Sequence, residues 1–360
     1  MTNRHPTRRD FVRLTAIGGA ASIAGLSGLA GSGRPALAQG LQVVNIGMPQ
    51  AATDVGYFVA HKRGYFKEEG LDVKFHNFAS AARMVTSLAS GDLQVGAGGP
   101  SAGLYNAIAR GIDIRIVADK SKNQTDRGSQ KLLVRKELYD SGKVRTVADL
   151  KGMRVANAAP GSSGATVLYK FLQSAKMGPK DIEEVFMSVP QMVQGLQSGA
   201  IDAALPFDPA TTLAIRKGIA VSLGNDYDVY PIHQIAVTLY SGQFIKEQPK
   251  AAHGFLKAFL RGVRDHNDAL DDKGMLSGPK GDEIANILAE YGPFKNPGIY
   301  KSFVIAYCDP DGRLHMESIK EDIEIFQQLG QLKDKVDLTK VVDTSILEAV
   351  LKEIGPYKKK

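Results

Sequence analysis

Tryptophan is absent from this 360-residue chain, and cysteine occurs once, as Cys308. Without tryptophan, any aromatic surface offered to a ligand must come from Tyr or Phe side chains. One cysteine excludes an internal disulfide, so stability must come from a packed core. Cys308 itself reads as a small buried apolar side chain. The chain has no C-x-x-C, no H-E-x-x-H and no acid-rich cluster, so neither a metal site nor a metal-dependent activity is expected. It also lacks G-x-x-x-x-G-K-[ST], which excludes a Walker-type phosphate loop. No cofactor is expected.

A long, strongly apolar run is missing too. "TRRDFVR" (Thr7 to Arg13) precedes an uncharged stretch, Leu14 to Gly33, rich in Gly and Ala, which ends in "ALA" at Ala36 to Ala38. That stretch is too weakly apolar for a stable membrane span, which needs about 20 strongly apolar residues. A basic start, a weak apolar middle and a small-residue exit predict an export signal over residues 1–38. The paired Arg8 and Arg9 with Phe11 resemble a twin-arginine signal cleaved near Ala38. No cysteine follows, so lipidation is not expected. The segment carries five Arg and one Asp, so +4 of the formal +7 charge lies there. What remains is close to neutral, and no nucleic-acid-binding surface is indicated.

From residue 39 onward, strands alternate with helices, and the alternation is written twice. "VVNIGM", "LDVKF", "LQVGA" and "IDIRIVA" read as strands, separated by the helix patterns "GYFVAHKRGYFKEEG", "AARMVTSLASG" and "AGLYNAIARG". The first of these helices is expected to run unbroken to Gly70. "MRVAN", "IEEVFM", "IDAALP" and "IAVSLG" repeat the plan with "SSGATVLYKFLQSAKMG", "PQMVQGLQSG" and "DPATTLAIRKG". Gly91 answers to Gly199, and Gly111 to Gly218, at equivalent helix ends. Such alternation predicts parallel sheets with right-handed crossovers, in two units of similar plan. From Pro249 on, the pattern is helical and would pack on those units.

Ligands of open parallel sheets bind beyond the carboxyl ends of the strands. Here those loops are "PQAATDVGY", "HNFASA" and "GGPSAG" in the first unit, and "AAPGSSG", "SVPQ" and "LPFDPA" in the second. Each leads into a helix and so presents free N–H groups and a positive dipole end. Two polar or extended stretches join the units, near Asp119 to Val134 and Tyr230 to Tyr240. They predict a hinge of two crossing segments. Within the first, Lys120, Lys122 and Arg127 read as surface charges. His233, in the second, reads as structural.

The motifs "GYFVAHKRGYFKEEGLDV", "LASGDLQVGAGGPSA", "TVADLKGMRVANAAPGSSG" and "LQSGAIDAALPFDP", in that order, resemble the nitrate/sulfonate/taurine-type periplasmic substrate-binding proteins of ABC importers. The resemblance covers Val44 to Pro249. It implies an α/β, two-lobed periplasmic binding protein fold of type II, each lobe a mixed, mostly parallel sheet with helices on both faces. The implied division is lobe 1 over 39–125, lobe 2 with the crossing segments over 126–235, and a return to lobe 1 plus C-terminal helices over 236–360. It implies a monomer that captures a small organic or oxyanion-type solute and delivers it to permease membrane subunits driven by a cytoplasmic ATPase. By family pattern the ligand-binding positions are Thr53, Asp54, Tyr57, Ser80, Gly99, Ser101, Ser162, Ser163, Phe207 and Asp208. Members often carry a Trp near the last loop, so the stacking surface here is expected to be smaller, or to come from Tyr57 and Phe207.

Each position has a plainer reading. Ser162 and Ser163 suit a helix N-cap, and so do Asp54 and Asp208; "DP" before "ATTLAI" has the form of a cap followed by Pro at the first turn. Whether the two aspartates meet ligand or only cap helices stays open. Enzyme readings are weaker. Gly161, Ser163 and Ala165 approach the G-x-S-x-G nucleophile elbow but end in Ala, and no His is tied to them by spacing. "GAGGPS" approaches a dinucleotide fingerprint but lacks its last Gly. Biosynthetic enzymes of the thiamine and menaquinone pathways use the same two-lobed fold, and the export signal argues against them.

Overall fold

The computed structural model describes residues 40–360. The export signal expected over residues 1–38 lies outside the described residues.

The first sheet is built from β1 (Gln42–Met48), β2 (Leu71–Asn77), β3 (Val95–Gly98), β4 (Ile114–Ser121) and a late strand, β10 (Ala236–Ser241). Its order is β2-β1-β3-β10-β4. The second sheet holds β5 (Lys131–Arg135), β6 (Arg154–Asn157), β7 (Glu183–Phe186), β8 (Ala203–Ala204) and β9 (Ala220–Asn225), in the order β7-β6-β8-β5-β9. Neither sheet is purely parallel as the bare alternation suggested. β10 runs antiparallel to β3 and β4, and β5 runs antiparallel to β8 and β9. Both antiparallel strands continue the crossing segments. The chain that leaves the first sheet enters the second between β8 and β9, and the returning chain enters the first between β3 and β4. Each sheet is therefore completed by a strand delivered across the hinge.

The helices that frame the site are α1 (Val55–Lys62), α2 (Val85–Ser90), α3 (Ala102–Ala109), α4 (Ser163–Ser174), α5 (Val189–Ser198) and α6 (Ala210–Arg216). The long helix expected up to Gly70 is interrupted. Gly64 sits at φ 77°, in the left-handed region, between α1 and a separate turn over Tyr65–Glu68. A residue with no Cβ adopts that conformation at low cost, and a helix stops there. The glycines matched between the two units do share a role: Gly91 and Gly199 close α2 and α5 at φ 82° and 76°.

After the second unit come α7 (Pro249–Asn267), α8 (Gly278–Tyr291), α9 (Met316–Gln328) and α10 (Ser345–Ile354). All four pack on the first sheet. Phe255, Phe259, Leu288 and Val350 share a core with Ile46, Val59 and Val95. Ile319 and Phe326 share another with Leu104, Tyr105 and Leu239. Close approach of α1 and α7 depends on a glycine pair. A Cβ at Gly262 would lie 2.1 Å from the Gly56 carbonyl oxygen, and one at Gly56 would lie 2.5 Å from Val263. The second sheet has its own two cores, around Val155, Leu168 and Phe171 on one face and Met192, Leu196 and Ala214 on the other. Among the described residues, no helix is long and apolar enough to cross a membrane.

Candidate functional site

Strand ends of both sheets converge on one cavity of about 80 Å³. From the first sheet come the loop after β1 (Pro49 to Thr53), the loop after β2 (Ala79 to Ala82) and Gly98–Gly99 at the end of β3. From the second come Asn157 and Ala158 at the end of β6, Ser162 to Gly164 at the start of α4, and Phe207–Asp208 before α6. The two sets touch. The Ala102 N–H donates to the Gly161 carbonyl at 2.9 Å, and a Cβ at Gly99 would fall 2.0 Å from Ser163 Oγ.

Seven of the ten expected positions line the cavity: Thr53, Ser80, Gly99, Ser162, Ser163, Phe207 and Asp208. Asp54, Tyr57 and Ser101 do not. Ser101 is an ordinary N-cap, its Oγ accepting from the Leu104 N–H at 3.1 Å. Tyr57 points into the core of the first lobe, where it stacks on Phe259 with ring centres 4.1 Å apart and shares a 2.7 Å hydrogen bond with Thr238 Oγ1. Burial pushes its phenol pKa well up. Residues 55–60 of α1 are all buried, and Tyr57 is packed in the lobe's core with Val55 and Val59. The aromatic wall comes from Phe207 and Phe303 instead.

Asp54 is consumed behind the cavity. Its Oδ2 accepts from the Ala51 N–H at 2.8 Å, and its Oδ1 lies 2.6 Å from Lys120 Nζ, both side chains being buried. Burial raises the Asp54 pKa, and Lys120 opposes that rise. The reading of Lys120 as a surface charge is thereby corrected. It lies near the buried end of β4, is 1% exposed and lines the cavity. Lys122 is half-buried and tied to Asp309 at 2.8 Å. His233 is buried away from the cavity, with Nε2 3.0 Å from Asp322 and its ring stacked on Tyr230. It lies 3.5 Å from Thr166 Oγ1 and does not serve Ser163. Cys308 is buried, its thiol pushed up by burial.

Asp208 caps α6. Its Oδ1 accepts from the Thr212 N–H at 2.9 Å and the Thr212 hydroxyl at 2.7 Å, leaving Oδ2 out of the cap. Burial raises its pKa. Ser162 does the reverse. Its backbone has N-cap geometry, but its Oγ makes no capping bond. Ser162 Oγ, Ser80 Oγ, Ser129 Oγ and Gln130 Oε1 are all buried without a partner in the protein, and all four residues line this cavity. An unsatisfied buried polar group costs about 1–3 kcal/mol. Four at one place form a surface ready to bond a molecule that enters it. Ser129 and Gln130 escaped the sequence reading because they precede a strand. They are set by Asp226, whose Oδ2 accepts from both their N–H groups at 3.0 and 2.9 Å. Phe303 to Ala306 escaped it because nothing in a helical region marks a connecting loop as a wall. Among the described residues, no group of three or more His, Cys, Asp or Glu could hold a metal ion.

The chain is 27% identical over 200 residues to the taurine-binding periplasmic protein of Escherichia coli, covering 54% of this chain and 58% of that one. It is 25% identical over 212 residues to the nitrate import ATP-binding protein NrtC of Synechococcus elongatus, covering 56% of this chain and 32% of the relative. The matches thus span about a third to three fifths of the curated relatives. Among solved structures, the alkanesulfonate-binding protein SsuA of Xanthomonas axonopodis pv. citri, bound to MOPS, superposes with TM-score 0.67 at 19% identity, over 84% of this chain and 98% of that one. The nitrate-binding protein NrtA of Synechocystis gives 0.72 at 14%, over 88% and 89%. A desulfurization enzyme, DSZB, shares the fold at 0.57 and 14%, over 87% and 99%. These likenesses establish the two-lobed α/β binding-protein fold. The NMT1-like family model matches residues 38–272, well over half of the sequence, and the chain belongs to that family.

Proposed function

We propose that this chain is the extracytoplasmic solute-binding protein of an ABC importer, which encloses a small organic or oxyanion-type solute between its lobes and delivers it to a permease. The observation that carries the reading is the set of four orphaned buried oxygens on one inter-lobe cavity. Such a wall is unfavourable in the empty closed form and favourable once a solute supplies partners, so binding and closure are linked. The N-terminus of α4 and Lys120 suit the acceptor end of a solute, as in a sulfonate, taurine or nitrate. The uncapped Oδ2 of Asp208 suits a donor end. The wall is otherwise built of alanines with Phe207, Ile235, Phe303 and Ile305, which excludes a large, fully charged ligand. The reading places lobe 1 at 39–125 with its return from 236, lobe 2 at 126–235, the mature protein in the periplasm after cleavage near Ala38, and a monomer as the working unit. The fold is shared with an enzyme, yet no thiol reaches the cavity and Ser163 has no histidine partner, so we read binding without turnover.

Replacing Ser162 with Ala tests this directly. Removing an orphaned hydroxyl should leave the unliganded protein as stable as before, or more stable. It should weaken the solute at least tenfold, about 1.4 kcal/mol. A thermal-shift screen of sulfonates, nitrate, pyrimidines and amino-containing anions would identify that solute first. Unchanged affinity in the Ser162→Ala and Ser163→Ala variants, or turnover of any bound compound, overturns the proposal.

A further inference from the structure

A second cavity, of about 390 Å³, lies along α4, against Ala165, Leu168, Tyr169 and Leu172. Its walls are apolar: Leu168 and Leu172 from α4, Ile182 before β7, and Leu329 just after α9. Its one carboxylate is Glu184; Tyr169, Gln328 and Gln331 are neutral, and the Tyr169 hydroxyl donates to Gln328 Oε1 at 3.2 Å. Glu184 is half-buried on β7, and its carboxylate takes one bond, from Asn157 Nδ2 at 3.1 Å. Gln331 Oε1 is buried without a partner, while the Gln331 carbonyl is fastened to α3 by Asn106 Nδ2 at 2.8 Å. Burial raises the Glu184 pKa, and the neutral Asn157 amide only partly offsets it. A cation beside Glu184 would restore what burial removed. Lys180, the one basic side chain of the wall, is exposed at the rim.

The size falls in the range of small-molecule sites, roughly 300–1,000 Å³. Apolar walls with a carboxylate and a free carbonyl oxygen, and no buried cation, define the complement: an apolar body with an ammonium head. We propose that this cavity is a second binding site, distinct from the cleft, for a small apolar amine whose ammonium pairs with Glu184. One wall belongs to the second lobe, through α4 and β7. The other follows α9, which is packed on the first lobe. An amine seated there bridges the lobes outside the cleft. Asn157, which bonds Glu184, also lines the cleft and so stands between the two sites.

Benzylamine is a suitable probe, with benzyl alcohol as its uncharged counterpart. Purified protein is titrated with each at pH 7.5 by calorimetry, and leucine methyl shifts are followed by NMR. The expected result is saturable one-site binding of benzylamine that shifts the Leu168, Leu172 and Leu329 methyls. Binding should be at least tenfold weaker for benzyl alcohol and for the isosteric Glu184→Gln variant, and unaltered in Asp208→Asn. Melting within a few degrees of wild type shows that Glu184→Gln is folded, and the methyl shifts locate the site without any variant. Equal binding of the two probes, no saturable binding, or loss in Asp208→Asn but not in Glu184→Gln each overturns the proposal; the last would place the amine in the cleft.

Discussion

Replacing Lys120 with methionine keeps most of the side-chain stem and removes one half of an ion pair that is buried on both sides, with Lys120 1% and Asp54 0% exposed and 2.6 Å between them. Breaking such a pair by deleting one partner costs about 3–5 kcal/mol, because a charge is left without compensation. Here the upper limit can be worked out. The folded variant can always neutralise Asp54 by binding a proton that the unfolded chain does not hold. That proton costs about 1.36 kcal/mol per unit of pH above the ordinary carboxyl value. That value is 3.8 for Asp54. The charge-related loss is therefore at most about 4.4 kcal/mol at pH 7 and about 1.6 kcal/mol at pH 5. The sign follows: the variant's folded state binds more protons than its unfolded state, so its stability falls as pH rises from 3.8 through the raised Asp54 value. Lys120 opposes that rise in the wild type, so the gap between the two proteins widens with pH. Urea unfolding followed by circular dichroism at pH 5, 6, 7 and 8 measures it; with no tryptophan in the chain, fluorescence is a poor probe. Adding Asp54→Asn to Lys120→Met removes the stranded charge and should recover more than half of the loss at pH 8. A loss equal at pH 5 and pH 8, or below about 1 kcal/mol at pH 8, would show that Asp54 is not left as a stranded buried charge.

Three further outcomes are expected. Gly99→Ala places a methyl 2.0 Å from Ser163 Oγ and 2.9 Å from the Ile235 carbonyl oxygen, so the lobes should sit further apart; small-angle scattering should show a larger radius, and solute affinity should fall by roughly tenfold or more as the closed population shrinks. Tyr57→Phe removes the bond to Thr238 and should cost about 1 kcal/mol of stability while leaving solute affinity unchanged; a change in affinity would return Tyr57 to the cleft. Asp119 accepts from Gln234 Nε2 at 2.5 Å and the Asp309 N–H at 2.9 Å, and burial pushes it up to about 7 against the pull of Lys122. Its contribution is complete below pH 3.8 and is lost as pH rises to about 7, so Asp119→Asn should flatten the stability profile in that window by up to about 1.4 kcal/mol per pH unit; an unchanged slope would show that Asp119 is not the group titrating.

The cleft was legible in sequence where it depended on local rules. A strand followed by a capped helix announces its own loop, and the loops at Thr53, Ser80, Gly99, Ser162 and Asp208 all line the cavity. Side-chain direction was less legible. Asp54 and Tyr57 sit within four residues of Thr53, yet one faces Lys120 and the other the core, because a helix start turns successive side chains through about 100° each. Ser101 and Ser162 both stand at helix N-cap positions, and only Ser101 satisfies its own helix.

Local pattern and repetition determined the elements, the two-unit plan and the end of each sheet at which a ligand would sit, since periodicity and glycine placement are properties of short stretches of chain. Tertiary structure alone decided which strands cross. β5 and β10 look like any other extended segment, and only the opposite sheet's open position makes each an inserted antiparallel strand. It also decided what Lys120 does. A lysine among polar residues reads as solvated until Asp54, 66 residues earlier, closes over it. Burial is a property of the assembled lobes and leaves no mark on the residues that share it.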